Sequence, residues 1–256
     1  MFQIIAYIQF LLRSTNQHGV HSPFVYDLVT QCFYDKTKYR DYASLKTYRT
    51  ALTSNSKQIT ISDLGSGSRV FNSNERRISA MAKQAGTSLK RAQLLYRMVR
   101  YFKSETSLEL GTSLGIATQA MALGHPKNHI TSIEGCPNTA ALAREQLTAV
   151  APERLQVITG DFDSVLPQLQ DPQYDLIFID GHHNKAATLR YFKLLLHKAH
   201  NDTIFIFDDI YWSKDMQEAW QEITAHPKVT VTVDTFYWGI VSLRKEQAKE
   251  NFTIRV

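Results

Sequence analysis

The sequence predicts a doubly wound α/β fold: a mostly parallel, seven-stranded sheet with an antiparallel last strand, preceded by an N-terminal helical extension. Three observations carry this. From Thr106 onward, short apolar runs alternate with amphipathic segments, the rhythm of a parallel sheet with helices on both faces. The runs LIFI (176–179) and IFIF (204–207) are apolar throughout, as strands covered on both faces are. KVTVTVD (228–234) and FYWGIVSLR (236–244) then follow each other with no helix between them, which requires an antiparallel pair.

Taken in order, the chain opens with MFQIIAYIQFLLR, apolar for about one helix length. It lacks a basic leader and a small-residue cleavage site, and it is shorter than the roughly 20 residues a bilayer span needs. It reads as a docking helix on a cytoplasmic protein with no membrane span. HSPFVYDLVT places Ser22 at an N-cap and Pro23 at the first helical position. His18 and His21 beside it read as turn residues, because two histidines alone do not complete a zinc site. LKRAQLLYRMVRYF puts Leu94, Leu95, Met98, Val99 and Phe102 on one helical face. Residues 1–88 therefore form the helical extension and 89–256 the α/β domain.

Composition narrows the class. The chain has 256 residues, 43% hydrophobic and 21% charged, which suits a large buried core and argues against disorder. Cys32 and Cys136 are too few for a disulfide framework and read as small buried residues. The net charge of +5 is uneven: nine basic residues lie between Arg69 and Lys103 against the single acid Glu75. Such a zone suits either a solvated helical face or an anionic partner.

The chemistry is read at the strand ends, where open α/β sheets bind ligands. The five predicted parallel strands end in or lead into Glu109, Glu134, Asp161, Asp180 and the pair Asp208-Asp209. Core packing gives no reason for such a series. Two glycine loops compete to hold a cofactor. The first, around Gly65 and Gly67, runs into the polar SRVFNSNERR and reads as a surface turn, with an anion contact through Arg69, Arg76 and Arg77 as its alternative. The second, GTSLG (111–115), is followed by an apolar helix and then by a strand ending in an acid, the spacing at which a carboxylate grips a ribose.

GTSLG is not a dinucleotide fingerprint, and Glu109 would repel a pyrophosphate. S-adenosylmethionine suits the residues better. Its carboxylate fits the helix N-terminus at Gly111, Thr112, Ser113 and Gly115. Its ammonium and sulfonium suit Glu109 and other acids, and its ribose diol suits Glu134. Its adenine suits Asp161, with Gly160 before it and Phe162 as an apolar wall.

With LELGTSLGIAT, ITSIEGCP, GDFDSVLPQL, YDLIFIDGHHNK and IFIFDDIYW in that order, residues 89–243 resemble the class I S-adenosylmethionine-dependent methyltransferases, which are Rossmann-like. The narrower resemblance is to small-molecule O-methyltransferases of the catechol and caffeoyl-CoA type. It implies in-line methyl transfer to a small-molecule hydroxyl, with Asp180 also near the cofactor and a helical cap over the acceptor. It further implies a homodimer and a Mg²⁺ site at Asp180, Asp208 and Asp209, although those relatives often carry Asp-Asn where this chain has Asp208-Asp209. Lys185 lies near their base-type lysine, displaced by two residues. His183 fits an Asp-Gly-x-His pattern and competes with His182 and Lys185 as the base. Tyr211, Trp212, Tyr237 and Trp238 are either acceptor walls or core. The basic zone favours an anionic acceptor. An RNA or protein substrate is the alternative, disfavoured because DDIYW replaces an Asn-Pro-Pro-Tyr type motif and no nucleic-acid-binding module is visible. A relative that keeps the cofactor site but has lost catalysis is the third reading.

Overall fold

The computed structural model describes residues 1–62, 73–84, 86–170 and 173–256. They divide into two compact units, Met1–Asp35 with Gln170–Val256, and Lys36–Leu169. Gly65, Gly67 and Arg69 of the first glycine loop lie outside the described residues. Among the described residues no helix is long and apolar enough to cross a membrane.

The first unit begins with helix α1 (Phe2–Arg13), which buries Ala6 and Phe10. Tyr7 and Phe10 set their rings 4.8 and 5.6 Å from that of Phe236. Helix α2 (Pro23–Leu28) starts as its sequence requires, with Ser22 Oγ accepting from Val25 N at 3.4 Å and Pro23 in the first turn. It widens into a π-helical turn at Val29–Phe33 that buries Cys32.

The second unit opens with α3 (Tyr42–Ser54), a short hairpin of β1 (Gln58–Thr60) and β2 (Glu75–Arg77), and α4 (Ile78–Gln84). Helix α5 (Leu89–Phe102) is capped by Ser88 and buries Leu94, Leu95, Met98 and Val99 on the face foreseen, with Phe102 at its margin. Strand β3 (Thr106–Leu110), helix α6 (Ile116–Gly124), strand β4 (His129–Glu134), helix α7 (Pro137–Leu147), strand β5 (Leu155–Thr159) and the short α8 (Phe162–Val165) complete it. β3, β4 and β5 pair in parallel, with Glu109 opposite Ser132 and Glu134 opposite Thr159.

The chain then returns to the first unit with β6 (Tyr174–Ile179), α9 (Lys185–Leu195), β7 (Ala199–Asp208), α10 (Lys214–Ala225), β8 (Val231–Asp234), β9 (Trp238–Ser242) and β10 (Glu250–Thr253). β6 and β7 are parallel, and β9 runs antiparallel to both β7 and β8. The apolar runs behave as expected: Phe178, Phe205 and Phe207 are fully buried. β10, which lies parallel on β8, was not foreseen. Two of its four residues are exposed, and the segment carries little strand signal. Among the described residues β3 to β10 make eight strands where seven were expected.

Close packing of α5 on α6 fixes the helix that follows the glycine loop. A Cβ at Gly124 would stand 2.7 Å from the Tyr96 carbonyl oxygen and 2.8 Å from Val99 Cβ, so only glycine lets the two backbones approach. Gly124→Ala is expected to cost about 1–3 kcal/mol in chemical denaturation. An unchanged midpoint would mean that α5 and α6 are not in this contact.

Candidate active site

The second glycine loop is built as a cradle. Gly111 N and Thr112 N donate to Ile133 O at 2.9 and 3.3 Å, so the loop folds back over the end of β4. Three of its residues take left-handed backbone: Gly111 (φ 102°), Ser113 (φ 47°) and Gly115 (φ 74°). Glycine adopts this conformation at no steric cost, whereas Ser113 is held there. Its N–H donates to Glu134 Oε2 at 2.9 Å. Helix α6 has no side-chain cap, and its first residues Ile116, Ala117 and Thr118 are buried. First-turn amides without a cap, at the positive end of a helix, suit a carboxylate.

Glu109 lies beneath the loop with no exposed surface. Its Oε2 accepts from Thr118 Oγ1 at 2.6 Å and Ser132 Oγ at 2.5 Å, and Ser132 Oγ also meets Thr112 Oγ1 at 2.5 Å. Its Oε1 is buried with no hydrogen-bond partner among the described residues. Burial pushes the carboxyl up to about 8; the two hydroxyls pull it down, and the charge of Glu134 pushes it further up. Below that value Glu109 is a neutral acid.

Glu134, at the end of β4, accepts Ser113 N through Oε2 and Cys136 N through Oε1, each at 2.9 Å. It thus ties the glycine loop to the start of α7. Gly160 N donates to Glu134 O at 3.0 Å. Asp161 caps α8, its Oδ2 accepting Asp163 N at 3.1 Å, and Phe162 behind it is buried. All the residues foreseen for the cofactor except Asp180 thus lie in one unit, around one loop.

Asp180 belongs to the other unit, with the remaining candidates. It directly follows β6, and its Oδ1 stands 3.6 Å from His183 Nε2. That is ion-pair distance rather than a hydrogen bond. The His183 ring lies 6.0 Å from that of Trp212. His182 is turned elsewhere: its Nδ1 meets Tyr191 Oη at 2.6 Å, and its backbone is left-handed at φ 63°. Lys185 is engaged with α10. Its Nζ lies 2.6 Å from Glu222 Oε1 and 3.2 Å from Glu218 Oε2, and its N–H donates to Asp215 Oδ2. Hydrogen bonds to those two glutamates raise its pKa, so it holds its proton instead of accepting one.

The three acids foreseen for a metal do not form a ligand set. Asp208 is buried and its Oδ1 accepts the amide of Asp209, while Asp180 pairs with His183. Among the described residues no group of three His, Cys, Asp or Glu side chains is arranged to hold an ion. The aromatic candidates separate. Trp238 is core, 5.8 Å from the Phe178 ring, and Tyr211 is buried with its hydroxyl donating to Asp234 Oδ2 at 2.6 Å. Trp212 is partly exposed and Tyr237 is half exposed.

Sequence reasoning missed Thr118 and Ser132, which hold Glu109, and Tyr48 of α3, whose hydroxyl donates to Leu114 O at 2.8 Å. Ser132 left a trace only as one of two adjacent polar residues between Ile130 and Ile133; Tyr48 left none. The raised Glu109 gives a pH dependence. The folded chain holds a proton between the ordinary value of 4.5 and about 8 that the unfolded chain has lost. Its contribution is therefore whole at low pH and is lost as pH rises through that window, by at most about 1.4 kcal/mol per unit. Denaturant melts of ligand-free protein at pH 5, 6.5 and 8 are expected to show Glu109→Gln gaining on the wild type as pH rises. A constant difference would mean that Glu109 is ionised throughout.

Comparison with known proteins agrees with this architecture. Residues 108–210 match the family model described as a methyltransferase domain. A catechol O-methyltransferase of Niastella koreensis is 30% identical over 123 residues, 46% of this chain and 55% of the relative. Another, from Mycobacterium tuberculosis, is 25% identical over 134 residues, 52% of this chain and 60% of the relative. The chain thus spans little more than half the length of these relatives. Among solved structures, a Podospora anserina methyltransferase bound to S-adenosylhomocysteine aligns with a TM-score of 0.63 at 16% identity, over 88% of this chain and 97% of that one. An O-methyltransferase from Bacillus cereus in complex with the same molecule gives 0.57 at 18% identity, over 84% and 96%. Residues 108–210 are therefore similar to a methyltransferase domain, and the chain shares its fold with these solved methyltransferases.

Proposed function

We propose that this protein transfers a methyl group from S-adenosylmethionine to a hydroxyl of a small molecule, with His183 as the base and Asp180 as its partner. The observation that carries the reading is the cradle: uncapped, buried first-turn amides on α6 above a buried acid with an unpartnered oxygen. Together they match a ligand that joins a carboxylate to a cationic centre. The first-turn amides of α6 would take the cofactor's carboxylate, Glu134 the ribose diol, and Asp161 with Phe162 the adenine. When bound, the cofactor supplies the electrophilic methyl.

The chain's own residues would supply the proton chemistry. His183 would accept the hydroxyl proton, the role imidazole most often takes in general acid–base catalysis. Asp180, 3.6 Å away, would stabilise the imidazolium that results. Lys185 is committed to Glu218 and Glu222 and keeps its charge. The carboxylates do not fit a metal as arranged, so no step is assigned to one. Catechols are natural first acceptors to try, because two relatives carry that name. An anionic acceptor would find exposed cations at Lys90 and Lys103. A nucleic-acid substrate is less favoured, because part of the basic zone is used internally. Arg97 donates to Tyr42 Oη at 3.0 Å, and Arg100 lies 5.0 Å above the Tyr39 ring.

Transfer of labelled methyl to a panel of catechols and related phenols tests the activity. His183→Ala is expected to lower kcat about 10²–10⁴-fold with cofactor affinity unchanged. Lys185→Ala should lower it far less, and a chelator should leave the rate unaltered. A greater loss in the lysine variant, or inactivation by the chelator, would contradict the assignment.

A further inference from the structure

Helix α3 lies in the same compact unit as the glycine loop and reaches into it through one side chain. Tyr48 Oη donates to the Leu114 carbonyl at 2.8 Å. The other end of that peptide is held as well, since Gly115 N donates to Thr112 O at 2.8 Å. Gly115 is left-handed, and a Cβ there would stand 2.9 Å from both Tyr48 Oη and Leu147 Cδ1. The phenol is therefore packed directly on the last glycine of the loop. It also packs against the small core of Ala140, Ala143, Leu147 and Val157, so its own position is fixed. Burial, and then the charge of Glu109, raise its pKa, so the hydroxyl remains a donor across the neutral range.

The Leu114–Gly115 peptide immediately precedes Ile116, Ala117 and Thr118, whose amides head α6 without a side-chain cap. A loop rich in left-handed residues has competing backbone states. Hydrogen bonds at both ends of one peptide plane select among them, and the amides that follow inherit the aim. Ordering a loop before its ligand arrives removes part of the entropic cost of binding.

We propose that Tyr48 is a positioning residue for the cofactor: its hydroxyl locks the Leu114–Gly115 peptide and so preorganises the first turn of α6 for a carboxylate. The inference rests on the cradle being the S-adenosylmethionine site. Tyr48→Phe tests it, because the ring and its packing remain and only the hydrogen bond is lost. The variant should bind S-adenosylhomocysteine about 3- to 10-fold more weakly, the range expected for one neutral hydrogen bond. KM for S-adenosylmethionine should rise by a similar factor with kcat nearly unchanged. Amide exchange should quicken in residues 111–118 and stay unchanged in 129–134, with the ligand-free melting temperature almost unmoved.

Equal binding by wild type and variant, with unchanged loop exchange, would overturn the role of Tyr48 and leave the cradle standing. A loss of kcat and melting temperature without a change in affinity would also overturn it, reducing Tyr48 to a packing residue. Failure of the folded wild type to bind would overturn the cradle and this inference together.

Discussion

A carboxyl with no exposed surface lies beneath the glycine loop, and the structure around that loop is arranged to tolerate it. Glu109 is buried at the end of β3, opposite Ser132 in the parallel register. That register supplies one hydroxyl, the first turn of α6 supplies Thr118, and Thr112 extends the network through Ser132. Three elements are thereby tied to one side chain. An isolated buried charge would be costly, so the group stays protonated over much of the neutral range. A cation brought beside it would reverse that preference. A fold with no use for a cation near this loop would have no reason to leave Oε1 without a partner.

In the other unit, backbone strain gathers at the loops that carry the remaining candidates. His182, Asp209 and Phe236 are left-handed at φ 63°, 53° and 73°. Such conformations persist only where the surroundings determine them. Tyr191 holds His182, and Phe236 stacks on Tyr211 with ring centroids 5.1 Å apart. Helix α1 reinforces the same region: Tyr7 and Phe10 pack on Phe236, and Arg13 reaches Tyr211 Oη at 3.5 Å. The N-terminal segment thus contributes to two places, through α1 near the loop after β7 and through Tyr48 at the glycine loop.

Much of this was legible in the sequence where the signal is local. Apolar runs gave β3 to β7, and Ser22-Pro23 marked a helix start, because period and capping are properties of neighbouring residues. The strand-end acids were legible for the same reason. What the sequence did not reveal depends on contacts between distant segments. Lys185 resembled a base until α10 brought Glu218 and Glu222 to it. Asp208 resembled a metal ligand, but in the fold it turns back onto the next amide. Trp238 was placed in the core by its strand register. Tyr48 lies 66 residues from its partner, a separation that no periodicity encodes.

Calorimetric titration of S-adenosylhomocysteine into the purified protein, wild type and Glu134→Ala, tests the central claim most directly. If the loop and Glu134 form the cofactor site, the wild type binds one equivalent and the variant at least tenfold less tightly, the loss of a charged hydrogen-bonding partner. A folded wild type that takes up no ligand, or a variant that binds as tightly as the wild type, would contradict the account of this site.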